Sequence, residues 1–320
     1  MIYLKGEKST KAGVRVKFYV GVTDKDWFDL LKVNGCYEVN FWKPGTSPFR
    51  ALQPGGMFLF KLHSPHNFVV GGGFFASFSI LPTFLAWQAF GIANGTTSLD
   101  QLNRRIEKYR GRNGISENPQ IGCVILTDAF FFDQEEWIPI PSDWSPNIVQ
   151  GKGYSTDTIS GRYLYDAIQE RLTARKTRSM LLGAGDVKRY TEITAKHRLG
   201  QGAFRIAVTD AYQRRCAISG EKTLPVLQAA HIQPYAENGP HQVDNGLLLR
   251  SDLHTLFDDG YITIDRDYRV SVSQRLHDDY GNGRDYYKYH GQQLLILPDS
   301  TFSRPSPDFI DWHNNHVYLG

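Results

Sequence analysis

Residues 214–264 read RRCAISGEKTLPVLQAAHIQPYAENGPHQVDNGLLLRSDLHTLFDDGYITI, and this stretch decides the fold of the C-terminal half. The apolar LQAA before His231 and Ile232 after it predict that this histidine sits on a strand. Asp244-Asn245-Gly246 has turn chemistry, because Asn and Gly accept backbone conformations that other residues resist. LLLRSDLHTLFDDG then predicts a strand running into a short helix that carries His254 and stops at Gly260. The order is strand, turn, helix, with a histidine, an asparagine and a histidine at rising positions.

That order, with the wording AHI-x-P, N-G-L-L-L and H-x-x-F-D-x-G, resembles the ββα-metal fold of HNH nucleases over about fifty residues. Upstream, RLGQGAFRIAVTDAYQRRCAISG is similar to the helix and turn that precede the motif in one bacterial branch of that family. A lone histidine is usually a core or surface residue, but the combination reverses that expectation. The resemblance implies His231 as general base, Asn245 as the residue holding its strand and ring, and His254 as ligand of a divalent metal, Mg²⁺ or Mn²⁺. Those types suit phosphodiester hydrolysis, which needs a base to activate water and a cation to neutralise phosphate charge. Imidazole, with a pKa near ~6.5, is largely neutral at cytosolic pH. Many members of the family place an acidic residue or a histidine directly before the base as a second ligand, and here that position is Ala230. Asp258, four residues after His254 on the same helix face, is the expected substitute, with a turn-capping role as the alternative. Asp244 and His241 are weaker candidates, and a hard cation that keeps several waters tolerates a sparse protein shell.

The rest of the 320-residue chain is ordinary for a globular protein, with 41% hydrophobic and 22% charged residues. Its length suggests two domains. Cys36, Cys123 and Cys216 are odd in number and widely spaced, so neither a disulfide framework nor a cysteine zinc site is expected. The first residues are charged and lack the apolar run of a secretory leader, which predicts a cytoplasmic protein. The longest apolar stretch, 68–93, is broken by Gly71-Gly72-Gly73 and Pro82 and is no membrane span. Net charge is +3, yet residues 161–222 hold thirteen Lys and Arg against six Asp and Glu. That basic middle fits a phosphate-binding footprint and equally a solvated helix face. Lys188, Arg189, Arg198 and Arg205, with Lys152 from the loop DWSPNIVQGKGY, are the candidate phosphate contacts.

The N-terminal half is strand-rich in VRVKFYVGV, MFLFKLHS, NFVVGGGFF and IGCVILTDAFFF, interrupted by helices at LPTFLAWQAF and at SLDQLNRRIEKYR, the latter N-capped by Ser98. The stretch from Tyr19 through Phe75, with Trp27 after the first strand, the loop NFWKP and ALQPGGMFLFKLHSPHNFVVGGGFF, resembles the EVE branch of the PUA-like fold. Domains of that superfamily enclose a single nucleobase in an aromatic pocket. By that resemblance Trp27 and Trp42 are expected as pocket walls, with Phe41 and Phe75 behind them and His63 or Ser64 reading the base edge; packing within the sheet is the competing role for Phe41 and Phe75. Trp42 is placed in a loop, and Trp87 in the core.

The combined expectation is an α+β protein: a PUA-like mixed β-barrel domain at 1–170, a basic helical linker at 171–192 and an HNH ββα-metal nuclease domain at 193–320. Its function is expected to be metal-assisted cleavage of double-stranded DNA containing 5-methylcytosine or 5-hydroxymethylcytosine. The modified base would be flipped out, and a homodimer would cut both strands. An HNH nuclease acting on unmodified DNA and a non-catalytic nucleic-acid-binding module are the alternatives.

Overall fold

The computed structural model describes residues 15–110, 118–181 and 199–320. The first half is built on strands β1 (Lys17–Thr23), β2 (Val39–Lys43), β3 (Met57–Leu62), β4 (Phe68–Pro82), β5 (Gln120–Phe131), β6 (Ile138–Pro139) and β7 (Gly151–Ser155). Helices α1 (Lys25–Val33), α2 (Thr83–Phe90), α3 (Leu99–Arg110) and α4 (Ile159–Leu181) accompany them. The strands form one sheet in the order β2-β5-β4-β3-β1-β7, with β6 on β4, and among the described residues the ladder is open between β2 and β7. β1 and β3 run parallel, and the other pairs are antiparallel.

Every residue of β3 is buried, because its two faces serve two cores. Phe58, Phe60 and Leu62 meet Trp27, Phe28 and Leu31 of α1, while Met57 and Leu59 meet Leu164 and Ile168 of α4. This is the period of two that a doubly covered strand imposes. A third core holds Ala86 and Phe90 of α2, Leu102 and Ile106 of α3, and Ile121, Cys123 and Ile125 of β5. Ser98 caps α3 as its sequence predicts, its Oγ accepting from the Gln101 N–H at 3.2 Å.

The second half comprises α5 (Gln201–Ala211), β8 (Leu227–His231), β9 (Gly246–Arg250), α6 (Ser251–Asp258), β10 (Ile262–Ile264), β11 (Val270–Val272), α7 (Arg275–Tyr280), α8 (Arg284–Tyr287) and α9 (Pro307–His316). β8 and β9 form an antiparallel hairpin, and α6 follows β9 directly. One core collects Phe204, Val208 and Tyr212 from α5, Leu247, Leu248 and Leu249 from β9, and Leu253 and Phe257 from α6. α5 has a second face. Its Ala203 and Ile206 pack into the core built by α2, α3 and β5, so one helix is shared by both halves.

The mixed α+β architecture is the one expected, and the histidine-bearing strand, turn and helix fall where the sequence places them. Other expectations change. Trp42 lies within β2, paired with Cys123 of β5, and not in the loop after it. The following Lys-Pro-Gly made a strand end resemble a loop. Trp87 is partly exposed and not a core residue. α4 runs through residue 170 without a break. Half of the expected linker, 182–192, lies outside the described residues. Among the described residues no helix is long and apolar enough to cross a membrane.

Candidate active site

His231 is the last residue of β8 and pairs with Gly246. Asn245 is fully buried just before β9, and its side-chain amide donates to the carbonyls of Gln233 at 2.9 Å and Pro240 at 3.0 Å. Its Oδ1 accepts from the Gln233 N–H at 2.9 Å, and its own carbonyl accepts from the Ile232 N–H at 3.0 Å. Asn245 therefore staples the two residues that follow His231 to the start of β9. It holds the backbone and makes none of these bonds to the imidazole.

Two other residues set the ring. Phe204 of α5 stacks on it with centroids 3.9 Å apart at 14°, and His231 Nε2 lies 2.9 Å from His241 Nδ1. Tyr235 stacks on His241 in turn, at 4.6 Å and 3°. Burial against these rings, helped by the neighbouring His241 and His254 and opposed by the Asp258 carboxylate, lowers the pKa of His231 to about 4. The imidazole is thus neutral across the physiological range and keeps one nitrogen lone pair.

His254 projects from α6 with both nitrogens engaged. Nδ1 lies 2.7 Å from Gln228 Oε1, and Nε2 lies 3.1 Å from Asp258 Oδ2. Gln228 and Asp258 thus hold the imidazole from its two ring nitrogens, and Nε2 with the Asp258 carboxylate presents two donor atoms of the kind that would suit a divalent ion. Among the described residues no cluster of three or more His, Cys, Asp and Glu could hold a metal, so Ala230 has no third substitute of that kind.

A cleft of about 560 Å³ opens over these groups, lined by His231, His254, Asp258, Tyr235, Gln201 and Arg205 among others. Of the expected phosphate contacts, Arg205 reaches it, its guanidinium also bonded to the Gln88 side chain at 3.1 Å. Lys152 is paired with Asp143 at 2.8 Å on β7. Lys188, Arg189 and Arg198 lie outside the described residues. Phe204, Gln228, Tyr235 and the ring contact of His241 are the parts of the site that sequence spacing did not reveal.

The aromatic residues expected to form a base pocket separate into two groups. Trp27 is 3% exposed and meets Phe41 and Phe60 edge-on at 5.5 and 5.1 Å. Trp42 belongs to another core, and its indole N–H donates to the Asn94 carbonyl at 2.9 Å. The two expected walls therefore do not face each other. Phe75 instead meets Phe49 at 5.3 Å, and Phe49 meets Tyr19 at 5.1 Å, with Tyr19 and Phe49 both partly exposed. His63 and Ser64 sit in the exposed turn after β3, beyond Leu62. Tyr19 pairs with Phe58 at the other end of that strand, which places the turn ~13 Å or more away at about 3.3 Å per residue.

Residues 216–265 match the family model described as HNH endonuclease. The C-terminal half therefore carries an HNH endonuclease domain, and the matched segment contains His231, Asn245, His254 and Asp258. No curated protein matches the chain. Among solved structures, ASCH from Zymomonas mobilis is 16% identical, with 41% of this chain and 84% of that chain covered at a TM-score of 0.28. The modification-dependent TagI restriction endonuclease is 13% identical, with 88% and 76% covered at 0.27. The type IV phosphorothioation-dependent restriction endonuclease ScoMcrA is 16% identical, with 68% and 47% covered at 0.20.

Proposed function

We propose that this protein is a divalent-metal-assisted endonuclease that cuts double-stranded DNA containing a modified cytosine. The observation that carries the nuclease reading is the convergence of neutral His231 and the His254–Asp258 pair on one cleft within the HNH segment. His231 removes a proton from water, which attacks phosphorus while the bond to the leaving oxygen breaks. His231 Nε2 is engaged with His241 Nδ1, so in the tautomer that places the proton on Nε2 the Nδ1 lone pair is the base. His254 and Asp258 would hold a divalent ion, Mg²⁺ or Mn²⁺, which would neutralise charge on the phosphate and the leaving oxygen. Arg205 adds a positive charge on the cleft wall. Phe204 and His241 hold the base in one orientation.

The base-reading part of the proposal is supported by the aromatic cluster of the first half. Tyr19 and Phe49 at its partly exposed edge, with Phe41, Phe58 and Phe75 behind, offer faces on which an extracted base stacks. Each stacked base returns about 1–3 kcal/mol, enough to offset the few kcal/mol of unstacking. On this reading residues 1–170 read the base, 193–320 cut, and α5 joins them. One HNH centre cuts one strand, so double-strand cleavage uses two copies of the chain. The test is cleavage with Mg²⁺ or Mn²⁺ of matched duplexes carrying cytosine, 5-methylcytosine or 5-hydroxymethylcytosine. Cutting confined to modified DNA and lost in His231→Ala is expected. Equal cutting of all three removes the base reader, and no cutting with either metal removes the nuclease.

A further inference from the structure

Helix α5 begins at Gly200, a residue with no side chain to cap the helix. The cap comes from the other half of the protein. Glu38, in the segment between α1 and β2, accepts from the Gly202 N–H at 2.9 Å with Oε2 and from the Ala203 N–H at 2.6 Å with Oε1. Carboxylates belong at helix N-termini, where free N–H groups and the helix dipole both favour negative charge. The fit is close. A Cβ on Gly200 would lie 2.7 Å from the Glu38 carboxyl carbon, and one on Gly202 would lie 2.9 Å from Oε2 and 2.7 Å from the Ala89 carbonyl of α2. The glycines of LGQGAFR thus admit both the carboxylate and the end of α2.

Arg205 to Gln88 fastens the same helix further along, and Arg214, in the turn just past its end, bonds the Ile80 carbonyl at 2.7 Å. The residue after the second capped position is Phe204, which stacks on His231. The segments on either side of Glu38, α1 and β2, carry Trp27 and Phe41 of the aromatic cluster. A single chain of contacts therefore runs from the aromatic cluster through Glu38 and the first turn of α5 to the ring of His231.

We propose that Glu38 is a positioning residue of the nuclease centre, acting through α5 and Phe204 to hold His231, so that the first half of the protein sets the competence of the second. This rests on His231 being the base, and the test separates the two claims. Glu38→Gln, Glu38→Ala and Glu38→Lys are made in the full chain. Diethylpyrocarbonate labelling of His231 is followed by mass spectrometry, with buried His313 as the internal control. In parallel, kcat and KM are measured on a duplex the wild type cuts.

His231 labelling is expected to rise several-fold in the order Gln, Ala, Lys while His313 stays protected. The Ala variant should lose about tenfold in kcat, with KM within about twofold, since loss of orientation lowers turnover more than binding. Gln, which keeps one acceptor, should fall between Ala and wild type. Unchanged His231 labelling in the Ala and Lys variants overturns the proposal, as does equal exposure of His231 and His313, which would mean general unfolding. Faster labelling with wild-type kcat overturns it too. A wild type that cuts no duplex sinks the nuclease reading alone, because the labelling still decides whether Glu38 governs the His231 ring.

Discussion

The rings of Phe204 and His231 lie face to face, 3.9 Å between centroids and 14° from parallel. The pair joins the helix that both halves share to the strand that ends at the candidate base. Stacking fixes the plane of the imidazole, while the bond to His241 fixes its rotation in that plane. Phe204 is also 1% exposed in the core. Phe204→Ala should cost about 3–5 kcal/mol of stability, read from denaturant unfolding. Phe204→Leu, which keeps most of the volume and loses the flat face, should cost less than about 1.5 kcal/mol yet still lower kcat. Wild-type kcat in the Leu variant would show that the stack is packing alone.

Gln228 holds His254 Nδ1 at 2.7 Å and so directs Nε2 toward Asp258. Groups that orient a metal-binding imidazole typically account for 10–100-fold in metal affinity, as a central range of about one to two decades. Gln228→Leu should weaken Mn²⁺ binding by about that factor in calorimetric titration and raise the metal concentration needed for half-maximal cleavage. His254→Ala should abolish both signals. A Gln228→Leu protein that binds Mn²⁺ as the wild type does would place the ion elsewhere.

The Glu38 carboxyl has its pKa raised from 4.5 to about 7, chiefly by burial between the two halves, with the N–H groups of α5 opposing. A raised carboxyl pKa means that the folded, docked form binds the proton more tightly than the open form. The stabilisation it brings is complete below about pH 4.5 and is lost as the pH rises through about 7. At about 1.4 kcal/mol per pKa unit, the full change amounts to about 3 kcal/mol. Thermal unfolding from pH 5 to 8 should show this downward slope, and Glu38→Gln should flatten it, since an amide does not titrate. An identical slope in the Gln variant would assign it to another group.

Much of the nuclease half was legible in the sequence because its chemistry is local. His231, Asn245 and His254 fall within one strand, turn and helix, whose signals are apolar runs, an Asn-Gly turn and a closing glycine. What supports those residues was not legible. Phe204 lies 27 positions before His231, on a separate helix, and Glu38 lies 164 positions before Gly202. The first pairing exists only once α5 packs on β8, and the second only once the two halves dock. Trp42 was misplaced for a local reason: Lys43-Pro44-Gly45 ends β2 directly after it, so a paired strand residue sat beside loop-forming neighbours. Trp27 lies on the amphipathic α1 and is buried there, and the sequence alone does not say whether an indole on such a helix faces a ligand or a core.

Tyr19 and Phe49 meet at 5.1 Å with their rings nearly perpendicular, at 86°, and both are partly exposed at the edge of the aromatic core. If a modified cytosine is held there, removing either ring takes away about 1–3 kcal/mol of stacking from the modified duplex and little from an unmodified one. Tyr19→Ala and Phe49→Ala should therefore lower affinity for 5-methylcytosine DNA by about tenfold or more, while weak binding to plain DNA stays. Trp42→Ala should leave that ratio unchanged, because its indole is spent on the Asn94 carbonyl in a different core. Fluorescence anisotropy with the three duplexes, carried out without metal so that no strand is cut, measures the ratio directly. Loss of discrimination in Trp42→Ala with full discrimination in the Tyr19 and Phe49 variants would move the pocket to the other face of β2.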